Sequence, residues 1–159
     1  MDINFQCRSL EDKEFTDLFQ LADSELEKMG AIRMIVDSDP GYPCRVSLED
    51  ARIGEEVLLL PYQHHRTNSP YQASGPIFVR KLAKTASLKL NEIPKMLDHR
   101  LLSLRGYDSN GILREAMVSE GNVLPGSIQN LFANNEITYI HVHNAKPGCY
   151  NCSIERINH

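Results

Sequence analysis

Tryptophan is absent from this 159-residue chain, and only 7% of the residues are aromatic. No apolar run is longer than residues 57–60, which is far too short to span a bilayer. The first five residues show neither the basic start nor the apolar stretch of a secretion signal. These absences predict a cytoplasmic protein with no membrane partner, in which the four cysteines are thiols or metal ligands rather than disulfides.

Charge is distributed unevenly along the chain. The net charge is −4, and residues 1–60 hold 14 of the 21 acidic residues but only 6 of the 17 basic residues. The remainder is therefore net positive, which favours an anionic ligand or association between oppositely charged surfaces. No nucleic-acid-binding motif is present, so we expect no nucleic-acid partner. A small anionic molecule and a homodimer are the two partner hypotheses, and a solvated charged face explains the same pattern.

The composition, 42% hydrophobic and 24% charged, is typical of an ordinary globular domain. Helix-start signals stand at Ser9, Ser24 and residues 124–127, and the sequence at 108–111 predicts a hairpin turn. Apolar patterning predicts strands at 3–8, 31–37, 56–62, 76–82, 100–107, 112–119, 137–143 and 153–157. We therefore expect one domain over residues 1–159, of the α+β class, with a single mostly antiparallel β-sheet and two or three helices packed on it.

A polar segment at residues 63–75 separates two of the predicted strands. Connections of this length in a compact domain are often binding loops, and two prolines stiffen this one. The first functional hypothesis is a non-catalytic protein that binds a small ligand, or interacts with a partner, through a pocket at this loop. Its predicted ligand-binding residues are Arg45, His64, His65, Ser69, Tyr71, Ser74 and Arg105. The alternative interpretation is a loop whose polar groups satisfy its own backbone.

Two further motifs are able to bind metal. Strand alternation places His141 and His143 on one face, where two imidazoles can share an ion, although a half-exposed polar face explains the pair as well. Cys149 and Cys152 have the spacing of a metal knuckle or a redox pair, and inert thiols are the alternative. Cys44 stands beside an arginine, which favours a reactive thiol or a further ligand.

These motifs define the second functional hypothesis, a metal- or thiol-dependent enzyme. Its predicted metal ligands are Cys149, Cys152, His141, His143 and Cys44, with His64 and His65 as further contributors. Zinc is the cofactor that such ligands favour, and no cofactor is required by the first hypothesis. No complete catalytic constellation can be assembled from these residues, so the ligand-binding hypothesis ranks first and the question of catalysis stays open.

Several short motifs occur together in an order that resembles one known family. They lie at residues 42–45, 54–59, 69–79, 104–108 and 148–152. In this order they resemble the bacterial family catalogued as domain of unknown function 1203, over about residues 43–156. The resemblance implies a stand-alone bacterial protein and assigns no activity to any residue. Residues 79–84 lack the histidine and cysteine that often follow the preceding strand in that family's pattern.

Overall fold

A computed structural model describes residues 2–158 of the chain. Its strands are β1 (Asn4–Arg8), β2 (Ile32–Ile35), β3 (Glu56–His65), β4 (Ala73–Arg80), β5 (Leu101–Tyr107), β6 (Leu113–Glu120), β7 (Tyr139–Asn144) and β8 (Tyr150–Ile157). Its α-helices are α1 (Asp23–Lys28) and α2 (Leu124–Phe132). Short 3₁₀ turns lie at Asp12–Glu14, Thr16–Gln20, Lys95–Leu97 and Gly121–Val123. This is the expected mixture of antiparallel strands with few helices.

The strands form two sheets, so the prediction of a single sheet was wrong. A five-stranded sheet has the order β1-β8-β7-β5-β6, and a three-stranded sheet has the order β2-β3-β4. Every strand pairing in the described residues is antiparallel. Strand β3 pairs with β2 on one side and β4 on the other, so it has no free edge with which to extend the larger sheet. The local apolar pattern is identical for one sheet or two, which is why the sequence did not separate them.

Each face of the five-stranded sheet has a different role. Its apolar face is covered by α2, whose Leu124, Ile128 and Phe132 pack in the main core with side chains from β5, β7 and β8. A second core contains Leu58 and Ile77 of the small sheet, together with side chains of the N-terminal turns and α1. Burial of such side chains stabilises each layer by roughly 1.5–3 kcal/mol per residue. The opposite face of the large sheet is polar, and the end of β3 lies against it.

The connection predicted as a loop over 63–75 is shorter in the structure. Strand β3 continues to His65 and β4 begins at Ala73, which leaves residues 66–72 between them. The polar residues at 63–65 are therefore strand residues, and sequence polarity concealed this because their side chains face another polar surface. No helix in residues 2–158 has the length and apolar character needed to cross a membrane.

Candidate metal centre

The polar face of the large sheet carries histidines and tyrosines in neighbouring rungs. Arg105 pairs with His141 across β5 and β7. The next pair on the same face, towards the carboxyl end of β5, is Tyr107 with Tyr139. The rung on the other side pairs Ser103 with His143. Residues that are paired across antiparallel strands present their side chains on the same face. The His141–His143 pair predicted from alternation is thus placed on one face, and both side chains are buried.

An irregularity in β3 brings two more histidines to this face. Tyr62 pairs with Gly75 and His65 pairs with Ala73, so Gln63 and His64 stand opposite a single residue of β4. In a regular strand, His64 and His65 would face opposite sides. A β-bulge re-aims side chains, and here both imidazoles lie against β7: the ring centroids are 5.1 Å apart for His64 and His143, and 4.8 Å apart for His65 and His141.

Three of these histidines form a cluster with metal-binding geometry. One ring nitrogen from each of His64, His141 and His143 lies within 4.8 Å of the others. Nδ1 of His64, Nδ1 of His141 and Nε2 of His143 are buried and have no hydrogen-bond partner in the described residues. Buried polar atoms are nearly always satisfied, whereas each of the three imidazoles has a buried ring nitrogen whose lone pair or proton is not used within the described protein.

Hydrogen bonding prepares His143 for this role. Its Nδ1 lies 2.9 Å from the Gly148 carbonyl oxygen, which can only accept, so Nδ1 carries the proton. The lone pair is therefore on Nε2, the atom that lacks a partner. A backbone carbonyl that fixes the tautomer and orientation of a histidine is a common feature around metal ligands.

The fourth histidine of this face, His65, is already satisfied. Its Nδ1 donates to the Tyr71 carbonyl at 2.7 Å, and its Nε2 accepts from the Tyr139 hydroxyl at 2.6 Å. Both ring nitrogens are occupied, so His65 is a structural neighbour of the cluster rather than a member. It packs at 4.2 Å between ring centroids against Tyr107.

The three clustered imidazoles are neutral at physiological pH. Burial lowers the pKa of His64 to about 4, of His141 to about 2 and of His143 to about 4. The positive charge of Arg105, which pairs with His141 across β5 and β7, lowers the pKa of all three further. Only a neutral imidazole offers a lone pair to a metal, so this environment keeps the ligands in the binding form.

Aromatic side chains enclose the cluster. The Tyr150 ring stacks on His64 with centroids 5.1 Å apart and an interplanar angle of 8°, and it meets His141 edge-on at 5.0 Å. Beside the cluster, a cleft of about 530 Å³ is lined by residues of β3, β7 and β8, among them His64, His141 and Tyr139. A larger cleft of about 710 Å³, lined by residues that include Asp50 and His99, contains none of the three histidines. Two of the three histidines, His64 and His141, therefore border the smaller cleft.

The cysteines predicted as ligands lie apart from one another. Cys152 is on the apolar face of the large sheet in the main core, and burial raises the pKa of its thiol well above its usual value. Cys44 lies in the second core, where its sulfur accepts from the backbone N–H groups of Ser47 and Arg80. Cys149 is half-buried and accepts from the Asn144 side-chain amide at 3.2 Å. The cluster of possible metal ligands found in residues 2–158 contains histidines alone.

The other predicted ligand-binding residues are dispersed around the hairpin. The Ser69 hydroxyl donates to the Gly111 carbonyl at 2.8 Å, and the Tyr71 carbonyl is occupied by His65. Ser74 is the residue opposite the β3 bulge. The buried Arg45 side chain donates from Nε to the Tyr150 carbonyl at 2.7 Å and contacts the Pro43 carbonyl as well. Of the predicted set, His64, His65 and Arg105 share the polar face with His141 and His143.

Sequence reasoning missed the tyrosines and the grouping of the three ligands. Tyr107 and Tyr150 lie within the family motifs at 104–108 and 148–152 but carry no chemical signal of their own, and Tyr139 alternates with the histidines of β7. The available signals for the cluster were an HH pair and an HxH pair in polar stretches. Nothing local indicates that a bulge turns His64 towards His143, because that contact joins residues about 80 positions apart in two different sheets.

The fold and the site define an α+β protein whose two antiparallel sheets enclose a cluster of three histidines. Residues 41–156 match the family model described as "Protein of unknown function (DUF1203)", and the chain belongs to this family. The matched span includes all three clustered histidines, and it confirms the family indicated by the sequence motifs. No curated protein and no solved structure matches the chain.

Proposed function

We propose that this protein binds one divalent transition-metal ion, with zinc the best fit, through His64, His141 and His143. The observation that carries the proposal is the convergence of three neutral imidazoles, each of which has a buried ring nitrogen with no hydrogen-bond partner in the described residues. Imidazole nitrogens bind zinc at about 2.0–2.1 Å, which places tetrahedral ligand atoms about 3.3 Å apart. The ring nitrogens of the three histidines lie within 4.8 Å of one another, and side-chain movements of about 1 Å bring them to that separation.

The ligand number supports a site that keeps an open position. Structural zinc sites are normally closed by four protein ligands, whereas sites with three histidines leave the fourth position to water or to a small molecule. His65 does not close the site, because both of its ring nitrogens are hydrogen-bonded. The function supported best is therefore that of a metalloprotein whose ion meets a small ligand at the adjacent cleft.

This proposal combines parts of both hypotheses drawn from the sequence. From the second hypothesis it keeps His141 and His143 as metal ligands and His64 as a contributor, and it omits the cysteines. It also keeps a small-molecule ligand, now beside the metal rather than in the loop at 66–72. A homodimer and a cytoplasmic location stay predictions from charge and from the N-terminal sequence.

The first test is metal stoichiometry. Protein stripped of metal and titrated with Zn²⁺ by calorimetry should bind about one equivalent, and His143→Ala should weaken binding by about 100-fold or more. His99→Ala is the matched control, because His99 is half-exposed, bonds to Asp50 and lies outside the cluster. It should bind Zn²⁺ like the wild type. Saturating Zn²⁺ should also raise the Tm, since binding at 100 times Kd adds about 2.7 kcal/mol to stability.

A second variant separates histidine from cysteine ligation. Cys149→Ser should leave zinc affinity within about threefold of the wild type, because the sulfur is not part of the cluster. Loss of zinc binding in Cys149→Ser together with unchanged binding in His143→Ala would contradict the proposal and favour the cysteine-containing set. A wild-type protein that takes up no Zn²⁺ at all would also overturn it.

A further inference from the structure

Arg105 occupies a distinctive position beside the cluster. It pairs with His141 across β5 and β7, so its side chain lies on the same face of the sheet as the three ligands. The side chain is half-buried. Its Nε lies 3.4 Å from the Ser103 hydroxyl, close to the limit for a hydrogen bond, and its guanidinium also interacts with the neutral hydroxyl of Tyr107.

No carboxylate oxygen lies within 4 Å of the Arg105 guanidinium in the part of the chain described. Other arginines of this protein are paired with acids at 2.6–2.9 Å: Arg8, Arg33, Arg80, Arg100 and Arg114. Glu155 faces the same side of the sheet as Arg105, but its carboxylate is bound by Arg8 at 2.9 Å. Arg45 and Arg156 also lack a paired acid, but their side chains bond to backbone carbonyls, and no such bond is found for Arg105 in residues 2–158. A half-buried cation without a counter-charge is costly.

A second cation lies behind the cluster. Arg45 is 1% exposed, and its side chain bonds to backbone carbonyls rather than to an acid. The positive charge of Arg45 lowers the pKa of His143, and the Arg45 side chain interacts with the Cys149 sulfur. A divalent ion held by three neutral imidazoles would add two positive charges to this region, and none of the ligands would neutralise them.

We infer that the open position of the metal takes a small oxyanion, a carboxylate or a phosphate, whose second oxygen is bound by the Arg105 guanidinium. This inference rests on the proposed metal site. One oxygen replaces water on the metal, and another accepts hydrogen bonds from the planar fork of the arginine, which matches both groups geometrically. The anion supplies the negative charge that the face lacks. A cleft of about 530 Å³, lined by two of the proposed ligands, His64 and His141, has room for the rest of a metabolite-sized molecule.

Cobalt provides a probe of this position, because the visible spectrum of Co²⁺ changes when one of its ligands changes. Wild-type protein loaded with one equivalent of Co²⁺ would be titrated with acetate and, separately, with inorganic phosphate. We expect a saturable spectral change with at least one of them, and the tighter of the two identifies the oxyanion class. Arg105→Gln should weaken the binding of that anion by about tenfold or more, while the affinity for Co²⁺ is not reduced. The control Arg52→Gln removes an exposed charge and should match the wild type.

The possible failures differ from one another. A protein that does not bind Co²⁺ overturns both the metal site and this inference. A protein that binds Co²⁺ at one equivalent but gives no spectral response to either anion overturns the inference and leaves the metal site standing. An equal response in Arg105→Gln and the wild type overturns the role of Arg105 and, with it, the inference as stated.

Discussion

At the scale of single residues, burial controls the protonation state of the cluster. The groups around His141 include one cation, Arg105 of β5, and neutral rings, namely the imidazoles of β3 and β7 and the tyrosines at 107, 139 and 150. Each group either removes water or disfavours a positive charge. The unfolded chain, in contrast, exposes the same histidine to solvent with an ordinary pKa near 6.5. Because the pKa of His141 differs between the folded and the unfolded state, the free energy of unfolding depends on pH.

This difference predicts a pH dependence for the metal-free protein. Because the folded pKa of His141 is about 2, the unfolded state takes up a proton first, and stability falls as the pH drops from about 6.5 towards 4. One such histidine contributes a slope of up to about 1.4 kcal/mol per pH unit in that window. In His141→Leu the slope should decrease by about 1 kcal/mol per pH unit. Urea unfolding at pH 7, 6 and 5 measures how the free energy of unfolding changes with pH. An unchanged slope in the variant would contradict the prediction.

At the scale of elements, two glycines test how closely the chain segments pack. A Cβ on Gly121 would lie 1.6 Å from the Leu97 carbonyl oxygen, which is backbone and cannot move aside easily. Gly121 also donates its backbone N–H to the Arg100 carbonyl at 2.8 Å, so the two segments are held together there. Gly126 of α2 has open space at the same position.

Alanine at these two positions should change the stability of the protein in opposite directions. Gly121→Ala should destabilise the protein by about 3 kcal/mol or more, because one segment must move away from the other. Gly126→Ala should stabilise it by up to about 1 kcal/mol, because alanine is the better helix residue and meets no obstacle. Chemical denaturation of both variants measures the difference. A Gly121→Ala protein as stable as the wild type would show that the close approach is absent.

Some elements followed directly from the sequence. The turn signal at 108–111 lies between β5 and β6, where a hairpin was predicted, and α2 begins at Leu124 with Pro125 in its first turn. Both rest on local preferences of glycine, asparagine and proline. The predicted first helix is replaced by two 3₁₀ turns, Asp12–Glu14 and Thr16–Gln20. Phe15 and Phe19 of this segment are buried in the second core all the same.

At the scale of the whole molecule, Arg45 links the two sheets. Its backbone N–H donates to Phe78 of β4 at 3.0 Å, and its side chain reaches the Tyr150 carbonyl of β8 at 2.7 Å. Its burial is almost complete, and burial lowers the pKa of the guanidinium. The residue predicted as part of a ligand pocket therefore also connects the large sheet to the small sheet.

Replacing this arginine should weaken the contact between the sheets. Arg45→Lys removes the planar fork and leaves buried carbonyl oxygens unsatisfied, so we expect a loss of about 2–4 kcal/mol. Arg52→Lys is the control, because that side chain is exposed, and it should change stability by less than about 0.5 kcal/mol. Thermal and urea unfolding measure both. Equal stability of the two variants would mean that Arg45 does not join the sheets.

The sequence by itself determined the class of fold, the strand faces and the family. It also determined that His141 and His143 share one face, because strand alternation is a property of neighbouring residues. Only the tertiary structure decided that there are two sheets, that a bulge turns His64 inward, and that His64 rather than a cysteine completes the cluster. Those outcomes depend on contacts between residues far apart in the chain, and no local pattern of polarity encodes which distant strand will lie opposite.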